Sequence, residues 1–412
     1  MSSDWASHAL GELASFKYGK FLAKSDLAPS GYPVFSGYGI VGYLPTFQFE
    51  SSQLLIVCRG EGGTGDVKMS PPNCSITNLS IILCADEAKV AKRFLYWALK
   101  ASDTHRLRTG SAQAQIVIGS LEKFRLTIPR AVGVQCRIAA ILDALDDRIA
   151  LLRETNTTLE AIAQVLFKSW FVDFDPVRAK QQGLAPAGMD EATLALFPEC
   201  FEASALGPVP KGWSVQPVGD IVECVGGATP DTKDPSYWSP EEHAWTTPKD
   251  LSGLAAPVLL RTERRLSAKG LAKIGSGLLP VGSLLMSSRA PIGYLAIAQM
   301  PVAINQGYIA MPPGSPLPPL YMLFWCRQNM EGIKARANGS TFMEISKKAF
   351  RPIPVLVPPR PVIDAFMAVA AALFDRLVEN ERQAQTLATL RDTLLPRLIS
   401  GQLRLPEVEA FT

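Results

Sequence analysis

The stretch VQCRIAAILDALDDRIALLRETNTTLEAIAQVLFKSW, Val134 to Trp170, carries apolar residues at Ile138, Leu142, Leu145, Ile149, Leu152, Leu159, Ala163 and Leu166. Steps of four and three alternate, with Asn156 the one polar interruption. That spacing is a heptad seam, and a buried Asn within such a seam fixes register and partner number. A helix of this length extends roughly 55 Å at about 1.5 Å per residue, more than the width of a small domain. It needs an equally long partner to cover its stripe.

A second copy supplies one. Gly110-Ser111 and Gly339-Ser340 lie 229 positions apart, and the same offset pairs Gln115 with Glu344, Ile116 with Ile345, Leu126 with Val355, Pro129 with Pro358 and Asp146 with Asp375. A gapless register held this far indicates duplication. A second long helix is expected from about Pro361 to Ile399, with a seam of Phe366, Ala370, Leu373, Leu377, Asn380, Ala384, Leu387, Arg391 and Leu394. Two long helices with one apolar stripe each are expected to pair with each other. The alternative is that each stripe packs on its own globular domain.

The repeat also covers the starts of the halves. Trp5 matches Trp213, and Leu10-Gly11-Glu12-Leu13 matches Val218-Gly219-Asp220-Ile221, at an offset of 208. Growth of the offset from 208 to 229 places about 21 extra residues in the middle of the second half. Like ends and unlike middles suit two modules that share a framework and read different things.

In the first module the strand candidates are Gln53–Cys58, Leu79–Cys84 and Phe124–Ile128, with a helix over Ala88–Ser102 and loops at 59–65 and 106–115. Their counterparts are a strand at Leu284–Ser288, the loop Arg289-Ala-Pro-Ile-Gly293, one strand over Ala303–Met311, a helix over Tyr321–Met330, the loop 337–344 and the strand Val355–Val357. Between the modules, 172–206 holds Pro176, Gly183, Pro186 and Gly188, which favour turns over a continuing helix, with a short helical patch at 191–197. The aromatics Phe167, Trp170, Phe171 and Phe174 are expected to cap the long helix by packing.

Of the 412 residues, 47% are hydrophobic and 19% charged, an ordinary globular composition with room for two or three domains. A net charge of +3 neither demands nor excludes a polyanionic partner. Seven cysteines without CxxC or zinc spacing fit reduced thiols, and no export signal or long apolar run is visible, so a cytoplasmic location is expected.

Catalytic signatures do not emerge. The loop Arg59–Gly65 lacks the GxxxxGK[ST] order of a P-loop and the GxGxxG context of a dinucleotide site. Ser70-Pro71-Pro72-Asn73 lacks the aromatic that would stack on a flipped base and reads as a turn. The three histidines, at 8, 105 and 243, have no Ser or Cys motif beside them. No catalytic residue and no metal ligand is assigned. What remains is a binding inventory, in which Lys and Arg attract phosphate while Gln, Asn, Ser, Thr and Tyr can hydrogen-bond base edges. In the first module it comprises Lys17, Tyr18, Lys20, Lys24, Arg59, Lys68, Arg106, Arg108, Gln113 and Gln115. In the second it comprises Thr229, Lys233, Lys249, Arg264, Arg265, Arg289, Asn305, Gln306, Lys334, Arg336, Asn338 and Ser340.

Several of these segments, in this order and with two repeats, resemble the DNA-specificity subunits of type I restriction-modification systems. They are Leu10-Gly-Glu-Leu13, Leu166-Phe-Lys-Ser-Trp-Phe171 with Asp173-Phe-Asp-Pro176, Gly207-Pro-Val-Pro-Lys-Gly-Trp213, Ser288-Arg-Ala-Pro-Ile-Gly293 and Ala303-Ile-Asn-Gln306. The resemblance implies an α+β protein: two mixed α/β target-recognition domains separated by two long helices that pair as an antiparallel coiled coil. Boundaries on that plan are 1–130 and 208–359 for the recognition domains, 131–173 and 360–412 for the spacer helices (the latter with a C-terminal tail), and 174–207 for the connector. The resemblance further implies a non-catalytic subunit that binds double-stranded DNA at a split site and positions two methyltransferase subunits, with restriction (translocase/endonuclease) subunits as further partners. No cofactor is expected in this chain; S-adenosylmethionine, ATP and Mg would be held by the partner subunits. A protein of another class, a coiled-coil scaffold whose modules bind protein partners, would share the helices but not the salt-dependent affinity for DNA.

Overall fold

The computed structural model describes residues 4–60, 62–110, 114–184, 186, 188–339 and 343–404. Its two longest elements are helices, Val132–Phe171 and Arg360–Ser400. On the first, Ile138, Leu142, Ile149, Leu152, Asn156 and Ala163 are buried, with Leu145, Leu159 and Leu166 half-buried. On the second, Phe366, Ala370, Leu377, Asn380 and Ala384 are buried, with Leu373, Leu387, Arg391 and Leu394 half-buried. Both heptad stripes are therefore the covered faces.

The chain divides into two compact units inside these helices. One contains the described residues up to Ile149 and from Thr386 onward; the other is Ala150–Gln385. Within each unit the two helices run antiparallel. In the first, Asp146 pairs with Arg391, and Ile138 and Leu142 share a core with Leu395 and Leu398. In the second, Asn156 meets Asn380, while Phe167 lies 5.7 Å from Phe366, ring centre to ring centre. Arg391, a polar residue in a seam position, is explained by Asp146: each charge satisfies the other in a half-buried site.

The first unit holds a four-stranded antiparallel sheet in the order Ala14–Tyr18, Ser80–Ala85, Leu54–Val57, Val67–Met69. A smaller sheet orders Ile40–Leu44, Tyr32–Phe35 and Ser75–Ile76, the last pair parallel. Trp5–Ala9 pairs with Arg125–Pro129 to close the module. The second unit repeats this plan. Tyr308–Met311, Leu284–Ser287 and Leu295–Ala298 form the main sheet with Val258–Leu259 as an added parallel edge strand. The bridge Val225 to Ala310 stands where Lys17 pairs with Ile82 in the first unit. Arg264–Leu266, His243–Thr246 and Ala303–Ile304 make the small sheet, again with a parallel last pair, and Ser214–Pro217 with Pro354–Val357 the closing pair.

The matching extends to single residues. Gly19 and Gly227, 208 positions apart, pass so close to a crossing strand that a Cβ would lie 2.1 Å from the Thr77 carbonyl oxygen and 1.8 Å from that of Ile304, respectively. No other residue fits there without moving backbone. The extra residues of the second half are also located. Residues 247–263, with the helix Pro248–Ser252 and the edge strand, replace the short turn 36–39; residues 267–283 replace 45–53.

One sequence expectation needs correction, and the connector, whose long helix does stop at Phe171 and whose helical patch falls at Glu191–Ala195, gains detail. Ala303–Met311 is two strands: Asn305 Oδ1 accepts the Gly307 N–H at 2.8 Å, a local turn that competes with extended pairing. The connector is also more structured than its composition suggests. Asp175–Gln181 is a helix with Pro176 in its first turn, Glu191–Ala195 a second capped by Asp190, and Phe201–Ser204 pairs with Gly207–Pro210 as a hairpin. Ser70–Asn73 lies between strands and bends at Pro72–Asn73, with Asn73 at φ 47°. Phe167, Trp170 and Phe171 are buried among Tyr321, Phe324, Trp213 and Phe366, so the aromatic cap is core.

Candidate nucleic-acid interface

The central strands Leu54–Val57 and Leu284–Ser287 are each followed by one buried residue, Cys58 or Ser288, and then an arginine. Each arginine is caught by one bridge: Arg59 pairs with Gln115, Arg289 with Glu344. The next N–H on the crossing segment donates back in both units, Ile116 to the Cys58 carbonyl at 2.9 Å and Ile345 to the Ser288 carbonyl at 3.0 Å. Gln115 and Glu344 then fold back onto Thr109 and Asn338 through paired backbone hydrogen bonds of 2.8–2.9 Å. Gly110 and Gly339, at φ 94° and 132°, follow Thr109 and Asn338 in backbone conformations where a side chain would be strained. One backbone device therefore presents an arginine and a polar partner in each module.

Around Arg59 the first module gathers a basic and aromatic rim. The Arg59 guanidinium lies 5.8 Å from the centre of the Tyr18 ring, and Tyr38 Oη donates to the Arg59 carbonyl at 3.2 Å. Lys20 is brought beside Thr77 and Asn78 by backbone pairing, with its side chain exposed. Arg108 Nε donates to the Thr64 carbonyl at 2.6 Å, which ties the loop before Gln115 to the loop after Arg59. Lys17 sits over the Phe49 ring at 4.8 Å. Lys24 is exposed in a short helical turn. Lys68 is paired with Asp66 at 3.3 Å, and Arg106 lies over Phe124 at 4.9 Å, so both have partners within the module.

In the second module, Arg289 Nη1 lies 3.7 Å from Glu344 Oε2, and Thr229 Oγ1 donates to Gln306 Oε1 at 2.5 Å. The loop after Arg289 contains Ala290 at φ 54°, a backbone strain of about 1–2 kcal/mol. Ser287 holds that loop by donating to the Pro291 carbonyl at 2.7 Å and accepting the Tyr294 N–H at 2.8 Å. Other arginines and lysines have local work. Arg264 stacks on Trp238 at 3.4 Å, and Arg265 donates to the carbonyls of Glu241 and Glu242. The Lys249 ammonium bonds Glu263 at 2.8 Å, which holds its pKa above the usual lysine value. Lys334 and Arg336 are exposed at and just after the end of the helix Met330–Lys334, Asn338 is exposed and bridges Glu344 through its backbone, and Lys233 is exposed in the loop before Pro235–Tyr237. Gln113 and Ser340 lie outside the described residues.

Sequence reasoning did not single out Phe21, Tyr38 or Glu344. Phe21 is 78% exposed between Lys20 and Lys24, and Tyr38 46% exposed beside Arg59. The signal was available for Glu344, which stands at the repeat position of Gln115, but an acid does not attract a polyanion. Among the described residues no group of three or more His, Cys, Asp or Glu could hold a metal ion, and no helix is long and apolar enough to cross a membrane. The set of groups can bind phosphate through unpaired cations and hydrogen-bond planar bases.

Residues 2–161 and 210–383 match the family model of the type I restriction modification DNA specificity domain. The chain is similar to the MjaIX specificity subunit of Methanocaldococcus jannaschii, 35% identical over 185 residues, 44% of this chain and 42% of that one. With the HindI specificity subunit of Haemophilus influenzae it shares 27% identity over 330 residues, 70% of this chain and 71% of that one. The match thus spans about two fifths of the archaeal relative and about seven tenths of the bacterial one. In fold, it resembles the S subunit of a type I restriction-modification system from M. genitalium, with a TM-score of 0.62 over 96% of both chains at 18% identity.

Proposed function

The chain belongs to the type I restriction-modification DNA specificity family, and we propose that it reads a bipartite site on double-stranded DNA, one part with each module. The observation that carries this reading is the duplicated device of Arg59 with Gln115 and Arg289 with Glu344, set in different surrounding loops. A repeated framework presents the same kind of contact twice, and unlike loops make the two contacts selective for different sequences. Tyr18, Lys20 and Arg59 combine stacking surface with positive charge, which suits a nucleic acid better than a neutral protein surface.

The chain is the non-catalytic member of its assembly. Chemistry belongs to two methyltransferase subunits that bind S-adenosylmethionine, with ATP and Mg used by restriction subunits where these join. Leu151, Ile162, Val165, Val369 and Leu390, all 45% exposed or more on the long helices, offer such partners apolar contact. Two modest contacts on one carrier bind more tightly than either alone, because the second engagement is intramolecular.

Methylome sequencing tests the reading. A host with this chain and its methyltransferase partner should show one split motif, two short blocks around a fixed gap, that vanishes when only this chain is deleted. Unchanged methylation on deletion would overturn it, as would a single unsplit motif.

A further inference from the structure

We infer that Gln115 and Glu344 are the base-selecting residues at one matched position in each module, with Gln115 choosing adenine and Glu344 choosing cytosine. The inference rests on the DNA-reading function proposed above and assigns a specific chemistry to that site.

The two side chains start from the same place. Each residue bridges the arginine that follows the central strand, each pairs on its other side with the residue before a left-handed glycine, and each is followed by an isoleucine donating to the same strand end. Backbone position is thereby held constant, while side-chain chemistry is varied. Gln115 is exposed, and its amide makes no hydrogen bond among the described residues. The Glu344 side chain is 44% exposed. Backbone pairs hold the segment in both modules; the Gln115 amide adds nothing to them, and the Glu344 carboxylate adds only its 3.7 Å approach to Arg289.

What each group can recognise follows from its donors and acceptors. A Gln amide offers one of each side by side, complementary to N6–H and N7 of adenine. A carboxylate only accepts. It matches the N4 amino group of cytosine and is repelled by the O6 and N7 of guanine and the O4 of thymine. Arg289, 3.7 Å from Glu344, adds the donor fork for the guanine of the same pair and offsets the carboxylate's charge as it leaves water. In the first module no carboxylate pairs with Arg59 among the described residues, and Tyr18 lies under it instead. The Arg–Glu pair is thus built for a G·C pair, whereas the Arg–Gln pair presents its amide to adenine.

The test is a reciprocal exchange, Gln115→Glu and Glu344→Gln, each in the full chain with its methyltransferase partner and read by methylome sequencing. Each exchange should alter one base at one position of one block, from adenine toward cytosine and from cytosine toward adenine respectively, leaving the other block and the gap unchanged. An unchanged motif for both exchanges overturns the inference, as does a change in both blocks. If an exchanged chain supports no methylation, Gln115→Ala and Glu344→Ala are assayed for binding to duplexes that vary one base at a time. Preference at a single position should fall roughly tenfold; a uniform loss at all positions overturns the inference and makes these residues structural. A wild-type chain with no split motif would instead count against the proposed function, so the two failures are distinct.

Discussion

Asn380 Nδ2 donates to Asn156 Oδ1 at 2.9 Å, and Asn156 Nδ2 donates to the Leu377 carbonyl at 3.3 Å, in a site where both asparagines are at most 2% exposed. Each side chain is the other's partner, flanked in the seam by Leu152, Leu159, Leu377 and Ala384. Asn156→Ala therefore strands the Asn380 amide and should cost about 1–3 kcal/mol in chemical denaturation. Replacing both by Leu should restore or exceed wild-type stability while loosening register, because no polar pair then distinguishes one heptad from the next. Additive losses in the double-mutant cycle would show that the pair is not coupled.

Leu152, 3% exposed four residues before Asn156, has no charged partner designed for it. Leu152→Asp places a carboxylate in the covered stripe. Burial raises the pKa of such a group in the folded state, so its penalty is small below the unfolded carboxylate pKa of about 4 and grows as pH rises through the folded value. The stability difference from wild type should then be several kcal/mol at pH 7 and shrink on acidification toward pH 4. A difference that does not vary with pH would mean that the introduced carboxylate reaches water.

How much of this was legible in the sequence depends on range. The seams are local and periodic, so Ile138 to Ala163 announced their buried face directly. The duplication was legible because Gly110 and Gly339 hold backbone conformations that few residues can adopt, and Ile116 and Ile345 fill equivalent buried positions. The strand break at Asn305 to Gly307 was hidden, since three residues with the right turn chemistry sit inside an apolar run long enough for one strand. Neither were the partners of Arg264 and Lys249 legible: Trp238 reaches Arg264 from the segment before the strand His243–Thr246, Glu263 reaches Lys249 within the inserted residues 247–263, and no local pattern encodes such pairings.

Gly227 and Gly19 make the framework testable at its tightest points. A Cβ at Gly227 would lie 1.8 Å from the Ile304 carbonyl oxygen, which is backbone and cannot rotate away. Gly227→Ala should destabilise the second module by about 1–3 kcal/mol, and Gly19→Ala the first by a similar amount. Ala at Gly275, where nothing lies within 4 Å, is the control and should leave the melting temperature unchanged. Equal melting temperatures for all three variants would contradict the close crossings.

The seven cysteines sort by environment, and thiol labelling reads that order. Cys136 and Cys200 are exposed and should alkylate readily near pH 8. Burial pushes the Cys224 thiol up to about 11, and Cys326 is raised by burial as well, so both should stay unlabelled until denaturant opens the second unit. Their rapid modification in the native protein would show that the core around Phe350 and Val222 is not closed.

Arg59 and Arg289 occupy one framework position, but differ in what holds them. Arg289 is shared with Glu344, so a phosphate or base must compete with a carboxylate for it; Arg59 has an aromatic neighbour and no such competitor among the described residues. Arg59→Ala should therefore weaken DNA binding more than Arg289→Ala at equal salt. If Arg59 contacts phosphate, its loss should also flatten the dependence of log affinity on log salt by about one unit, and it should weaken matched and mismatched duplexes alike. Arg289→Ala should act instead through discrimination, narrowing the gap between matched and mismatched duplexes by roughly tenfold with little change in salt slope. Circular dichroism checks that both variants stay folded, and an identical salt slope and discrimination for the two would mean that Glu344 does not divide their roles.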